Sequence, residues 1–147
     1  MKYPPTLALF SVLAVAEATH QNAQAQEEWK PINDASELRR VVSGNSFDGQ
    51  FFWDYYRSDG AMAYYNKQYD SVVVRKWVVG NDAKLCTYIY VKPDKLVECT
   101  TFERSAQDPN VYRILIDRGY SVQMKLSKEP PRAKLVDAIN DKAGPAN

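Results

Sequence analysis

A chain of 147 residues that is 45% hydrophobic carries enough apolar material for one core and too few residues for two. Its 19 basic and 18 acidic side chains are interleaved and sum to a formal charge of +1, which excludes the dense basic stripe with which a protein neutralises several phosphates. No nucleic-acid partner is expected.

Residues 1–25 read as a cleavable export signal: Lys2 supplies the positive start, Leu7 to Ala16 the apolar middle, and Ala23-Gln24-Ala25 the small-x-small site before Gln26. Ten largely apolar residues followed by Glu17 fall short of the ~20 that cross a bilayer, so no transmembrane anchor is expected. Cleavage near Ala25 leaves a periplasmic or secreted protein, and the alanine- and glutamine-rich cleavage region points to a bacterial periplasm. The segment also carries His20, the one histidine of the chain. Beyond it, residues 26–127 read as a single β-barrel-like domain and 128–147 as a tail.

Asp34-Ala35-Ser36-Glu37 has the spacing of a capping box, Leu38, Val41 and Val42 give a small apolar face, and Gly44 supplies a left-handed stop. A helix this short folds only against something larger, either the face of a sheet or the open end of a barrel. Gly44 to Gly49 reads as a loop.

Strands follow in close succession. In Gln50 to Arg57, Phe51, Trp53 and Tyr55 face one side, and Phe52, Asp54 and Tyr56 the other. Ser58-Asp59-Gly60 turns the chain into Ala61 to Tyr65, and Asn66-Lys67-Gln68 turns it again into Ser71 to Val79. Leu85 to Val91 and Leu96 to Glu103 flank a turn at Lys92-Pro93-Asp94-Lys95. Val111 to Ile116 and Tyr120 to Leu126 are joined by Asp117-Arg118-Gly119. The tail has an apolar cluster at Leu135, Val136 and Ile139, a short helix in prospect. The fold class is therefore mainly β: an antiparallel up-and-down meander curled into a small lipocalin-like barrel or half-barrel, with one short N-terminal helix. Curling removes exposed edges and gives the apolar face an interior, with a sandwich as the alternative.

Cys86 and Cys99 lie on the two arms of one hairpin, roughly equidistant from Pro93, and are expected to form a disulfide in an oxidising compartment. Their spacing is not that of a redox Cys-x-x-Cys pair.

Chemistry-bearing motifs are scarce. Without a histidine after residue 25 there is no Ser-His or Cys-His nucleophile pair and no imidazole ligand, and two cysteines alone cannot close a zinc site. Asp48 and Asp54 form at best a distant carboxylate pair. No catalytic residue, metal or cofactor is assigned, and the chain is not expected to be an enzyme. What does stand out is the aromatic supply. Trp53, Tyr55, Tyr64, Tyr88, Tyr90 and Tyr112 are the candidate ligand-binding residues, with Phe51, Tyr65 and Trp77 on the same strands. A packed core is the competing role for these rings.

The linear order of features resembles a family of small exported bacterial proteins of unknown function with a lipocalin-like or calycin-like sheet. The matching pieces are the helix ending at Leu38 to Gly44, Tyr55-Tyr56-Arg57-Ser58-Asp59-Gly60, Trp77-Val78-Val79, Leu85-Cys86, Glu98-Cys99 and Tyr112. The chain departs from that pattern with Arg75-Lys76 before Trp77 in place of a glycine, and it has no tryptophan between the cysteines. The resemblance implies a barrel fold and an envelope location, and no activity.

Two functions remain open. The preferred one is a binding module that holds a small apolar or amphipathic ligand in a cavity lined by Trp53, Tyr55, Tyr88 and their neighbours. The other is a protein-interaction module, such as an envelope assembly factor or an inhibitor of a cell-wall enzyme, that uses an outer patch of aromatics with Arg57, Arg75, Arg104 and Arg113.

Overall fold

The computed structural model describes residues 27–116 and 119–145. The expected export signal with His20, and Asp117 and Arg118 of the last expected turn, lie outside the described residues.

Among the described residues, nine strands and two helices make up the fold: β1 (Trp29–Pro31), α1 (Ala35–Val42), β2 (Ser46–Gly49), β3 (Phe52–Tyr56), β4 (Ala61–Asn66), β5 (Ser71–Val79), β6 (Leu85–Ile89), β7 (Lys92–Ser105), β8 (Val111–Ile116), β9 (Tyr120–Leu126) and α2 (Ala133–Ala143). From β2 to β9 each strand pairs antiparallel with the next, and β9 returns to β2, so eight strands close a barrel. The closing seam is short: Phe47 faces Leu126, Asp48 faces Lys125 and Gly49 faces Met124. β1 lies outside the ring, against the end of β7, with Trp29 opposite Ser105.

Two parts of the sequence reading need correction. Gly44 to Gly49 holds a strand, β2, although a four-residue stretch with one large apolar side chain shows no alternation; its strand conformation comes from serving as the partner of both β3 and β9. The turn expected at residues 92–95 belongs instead to β7, and the chain reverses just before it, since Ile89 pairs with Lys92. Pro93 is tolerated there because β8 ends at Ile116, opposite Thr100, leaving the first half of β7 unpaired on that side, where a missing N–H costs nothing.

One end of the barrel is shut by α1. Asp34 caps the helix by accepting the Glu37 N–H at 2.6 Å, and beyond its last residues Gly44, at φ +77, donates its N–H to the Tyr56 carbonyl at 2.7 Å. The helix is thus stitched to β3 at the point where the chain enters β2. Leu38 and Val42, both fully buried, project among Phe47, Tyr56, Val79, Leu85 and Phe102. Burying each of these aliphatic side chains contributes about 1.5–3 kcal/mol, which is what holds so short a helix in place. Phe47 organises this floor, meeting Tyr56, Phe102 and Tyr112 edge to face at centroid distances of 5.9, 6.4 and 5.7 Å.

α2 lies outside the barrel on β4 and β5. Leu135 and Ile139, one turn apart, are buried against Ala61 and Ala63, whose small side chains let the helix approach the sheet closely. Its C-terminal end is held by Arg57, and Gly144 closes it at φ +77. The indole N–H of Trp77 is shared between the carbonyls of Arg57 and Ala61, at 3.0 and 3.1 Å, which satisfies the one polar atom of a buried ring.

Candidate functional site

Strand alternation puts Phe52, Asp54 and Tyr56 of β3, Met62 and Tyr64 of β4, and Arg75 and Trp77 of β5 on the inward face. Leu85 and Thr87, Glu98 and Thr100, Ile114 and Ile116, and Tyr120 and Val122 complete the interior from β6 to β9. The half of the interior near α1 is filled. The other half is a cavity of about 420 Å³. It opens at the end opposite α1, among the β2–β3, β4–β5, β6–β7 and β8–β9 connections. This volume is in the ~300–1,000 Å³ range of small-molecule sites.

The walls are largely apolar, supplied by Phe52, Met62, Leu85, Ile114, Ile116 and Val122. The rim carries exposed Phe51 and Tyr120, 58% and 54% accessible.

Polar groups interrupt the lining. Asp54 is 4% exposed; its Oδ2 accepts the Tyr56 phenol at 3.2 Å, while its Oδ1 has no partner. Arg75 donates to Glu98 Oε1 at 3.0 Å and to the Thr87 hydroxyl at 3.4 Å. The β6–β7 pairing is regular from Leu85 and Thr100 to Thr87 and Glu98 and then shifts register, an irregularity of the kind that re-aims a side chain beside a site. Burial drives the Asp54 carboxyl up to about 7; the Tyr56 hydrogen bond and the Arg75 charge oppose this and the Glu98 charge adds to it. Burial, reinforced by the Asp54 charge, pushes the Tyr56 phenol well above its ordinary value.

Of the six candidate aromatics, Tyr64 lines the cavity, its ring centroid 5.8 Å from that of Phe52. Tyr112 is buried beside Phe47 in the filled half. Trp53, Tyr55, Tyr88 and Tyr90 stand on the other side of the wall, because each is out of phase with the inward residues of its strand. Trp53 stacks on Tyr65 at 4.7 Å, with Arg132 over its face at 3.7 Å and Lys134 over Tyr65 at 4.3 Å. This ladder fastens the start of α2 to the barrel. Tyr55 and Tyr90 pack against the cluster built on Leu135 and Ile139. Tyr88 and Tyr90 also line a shallow outer groove with Lys76 and Pro93.

Each arginine considered for an outer patch is engaged. Arg57 binds Asp59 and α2, Arg75 binds Glu98 inside the barrel, Arg104 reaches Glu37 at 3.1 Å, and Arg113 pairs with Glu103. Asp48 and Asp54 are on opposite faces of the wall, with Asp48 3.6 Å from Arg132 outside. Cys86 and Cys99 are bonded as cross-strand partners, their Cα atoms 4.0 Å apart.

Sequence reasoning missed Asp54, Arg75, Thr87 and Glu98 as a group. The available signal was the aspartate inside an otherwise aromatic run, Phe51-Phe52-Trp53-Asp54-Tyr55-Tyr56, which had to face one side of a two-sided apolar strand. Among the described residues no group of three or more His, Cys, Asp or Glu is placed to hold a metal ion, and no helix is long and apolar enough to cross a membrane. Compared with protein-family models, with curated proteins and with solved structures, the chain matches none.

Proposed function

We propose that the protein binds a small amphipathic molecule in the open half of its barrel and does not transform it. The observation that carries this reading is the cavity of about 420 Å³ left open opposite α1, with largely apolar walls, a polar group set into them and an aromatic rim. A chain that only needed a core would fill such space, since each unfilled volume forfeits packing. The disulfide supports residence in an oxidising compartment, and with the export signal read in residues 1–25 we assign the protein to the periplasm or the exterior. A ligand met there would be one that partitions between water and apolar surfaces.

The test is uptake of a neutral, environment-sensitive fluorophore such as N-phenyl-1-naphthylamine by the purified chain. Saturable binding at one site per molecule is expected, and Ile114→Trp, which places a larger ring in the cavity, abolishes it. No saturable uptake, or uptake indifferent to Ile114→Trp in a folded variant, overturns the proposal.

A further inference from the structure

We propose that the occupant of the barrel is a single-chain amphipath with a cationic ammonium head, seated on Asp54 with its tail running toward the Phe51 and Tyr120 rim. This rests on the reading of the cavity as a binding site and adds the chemistry of the ligand's polar end.

Three observations carry it. The first is the orphan acceptor. Asp54 Oδ1 is buried without a hydrogen-bond partner, while Oδ2 is occupied by the Tyr56 hydroxyl. A buried acceptor left unpaired costs about 1–3 kcal/mol, more when charged; Oδ1 is itself covered, so a donor in the cavity gains this energy once the carboxylate turns to meet it.

The second is the charge inventory of the lining. Among the described residues its charged groups are Asp54, Arg75 and Glu98, and Arg75 is already held by Glu98 at 3.0 Å. The remaining charge is that of Asp54, with the phenols of Tyr56, Tyr64 and Tyr120 as the other titratable groups facing the space. An ammonium supplies both the missing donor and the missing counter-charge. A carboxylate head meets two carboxylates and an arginine whose charge is spoken for. An alcohol supplies a donor without the charge. Burial raises the Asp54 carboxyl, and the Tyr56 hydrogen bond and the Arg75 charge offset this only in part.

The third is the path to the mouth. Met62, Ile114, Ile116 and Val122 line the cavity alongside the polar group, and the exposed rings lie at its mouth. A tail that starts at Asp54 therefore has apolar wall beside it on the way out.

The experiment uses decylamine, decanol and decanoate, each displacing the fluorophore from the full chain at a pH above neutrality. Decylamine is expected to displace it at a concentration lower by about tenfold or more than either of the others, a difference of ~1.4 kcal/mol. Asp54→Asn is expected to erase that preference, read within the variant as the ratio of decylamine to decanol affinity measured directly by calorimetry. A measurement on the unmodified protein covers the case of a variant that fails to fold. In slightly acidic solution, calorimetry in two buffers of different ionisation enthalpy should show a proton released on binding decylamine and none on binding decanol. Equal affinity for amine and alcohol, tighter binding of the carboxylate, or amine binding without proton release overturns the head-group assignment when fluorophore uptake is intact. Loss of that uptake altogether removes the cavity reading first.

Discussion

Arg57 donates to the side-chain oxygen of Asn140 at 2.9 Å, joining the shut end of the barrel to a helix 83 positions further along the chain. The same guanidinium reaches the Gly144 carbonyl at 2.8 Å and grips both oxygens of Asp59 at 2.9 and 2.6 Å, with its own side chain only 5% exposed. One buried cation thus holds a tight turn and the end of α2 together. The Asp59 hydrogen bonds raise the Arg57 pKa and lower that of Asp59, so the pair stays charged.

Replacing Arg57 with alanine is therefore expected to cost about 2–3 kcal/mol, because hydrogen bonds to a charged group are lost and the carbonyl and amide partners are left open. Asp59→Asn should cost less than ~1 kcal/mol, since Asp59 is about half exposed and water replaces the lost charge. Denaturant titration measures both. Hydrogen exchange should show residues 133–143 losing protection in Arg57→Ala well before the strands do.

Asp54 gives the folded protein a pH dependence of unusual sign. With its carboxyl near 7 in the folded chain against 3.8 as the ordinary value, the folded protein keeps a proton through a range in which the unfolded chain has lost it. Unfolding then releases a proton, and stability falls as pH rises from about 4 to about 7, by up to ~4 kcal/mol for three units of difference. Thermal melts across this range should show the decline, and Asp54→Asn should flatten this component and leave the variant more stable than the parent above neutrality.

The bridge between Cys86 and Cys99 should be worth about 3 kcal/mol by the chain-entropy estimate for a loop of this length. Replacing both cysteines with alanine lowers the denaturant midpoint accordingly. The fold should survive, because Val79 to Arg75 still pair with Leu85 to Ile89 on the other side of β6. Reduction that leaves stability unchanged contradicts this account.

The N-terminal reading has a direct chemical check. Expressed with its full sequence in a Gram-negative host, the protein should be recovered from the periplasm beginning at Gln26 and lacking histidine. Intact-mass measurement reads this at once, and retention of Met1 in cytoplasmic material overturns it.

Much of the architecture was legible because period-two alternation is unambiguous where one face is polar. β9 has the bounds that its alternation marks, β5 and β8 have those marked by their β-branched and aromatic runs between turns, and the capping box at Asp34 to Glu37 is present as a hydrogen bond. Alternation fails where both faces are apolar. In β3 the choice between Trp53 and Tyr55 or Phe52 and Tyr56 as the inner row depends on what covers the outer one, and that cover is α2, more than 75 positions away in sequence. Ala61 and Ala63, too small to read as a packing surface by themselves, are the seat for that helix. The polar group of the cavity was illegible for a related reason: Asp54, Arg75 and Glu98 come from three strands, and only the registers of β5 on β6 and of β6 on β7 bring the last two together.

The three residue pairs that close the ring, from Phe47 and Leu126 to Gly49 and Met124, tie the beginning of the meander to its end. A nascent polypeptide halted before position 120 is consequently an arc with two raw edges, however well its earlier hairpins have formed. Synthesis or translocation must deliver almost the whole molecule before the floor, the mouth and the helix on the outer wall can exist together. The last strand works as the clasp: shortening the chain from its carboxyl end first strips the cover from the outer wall and then, within the span of that one element, undoes the ring itself.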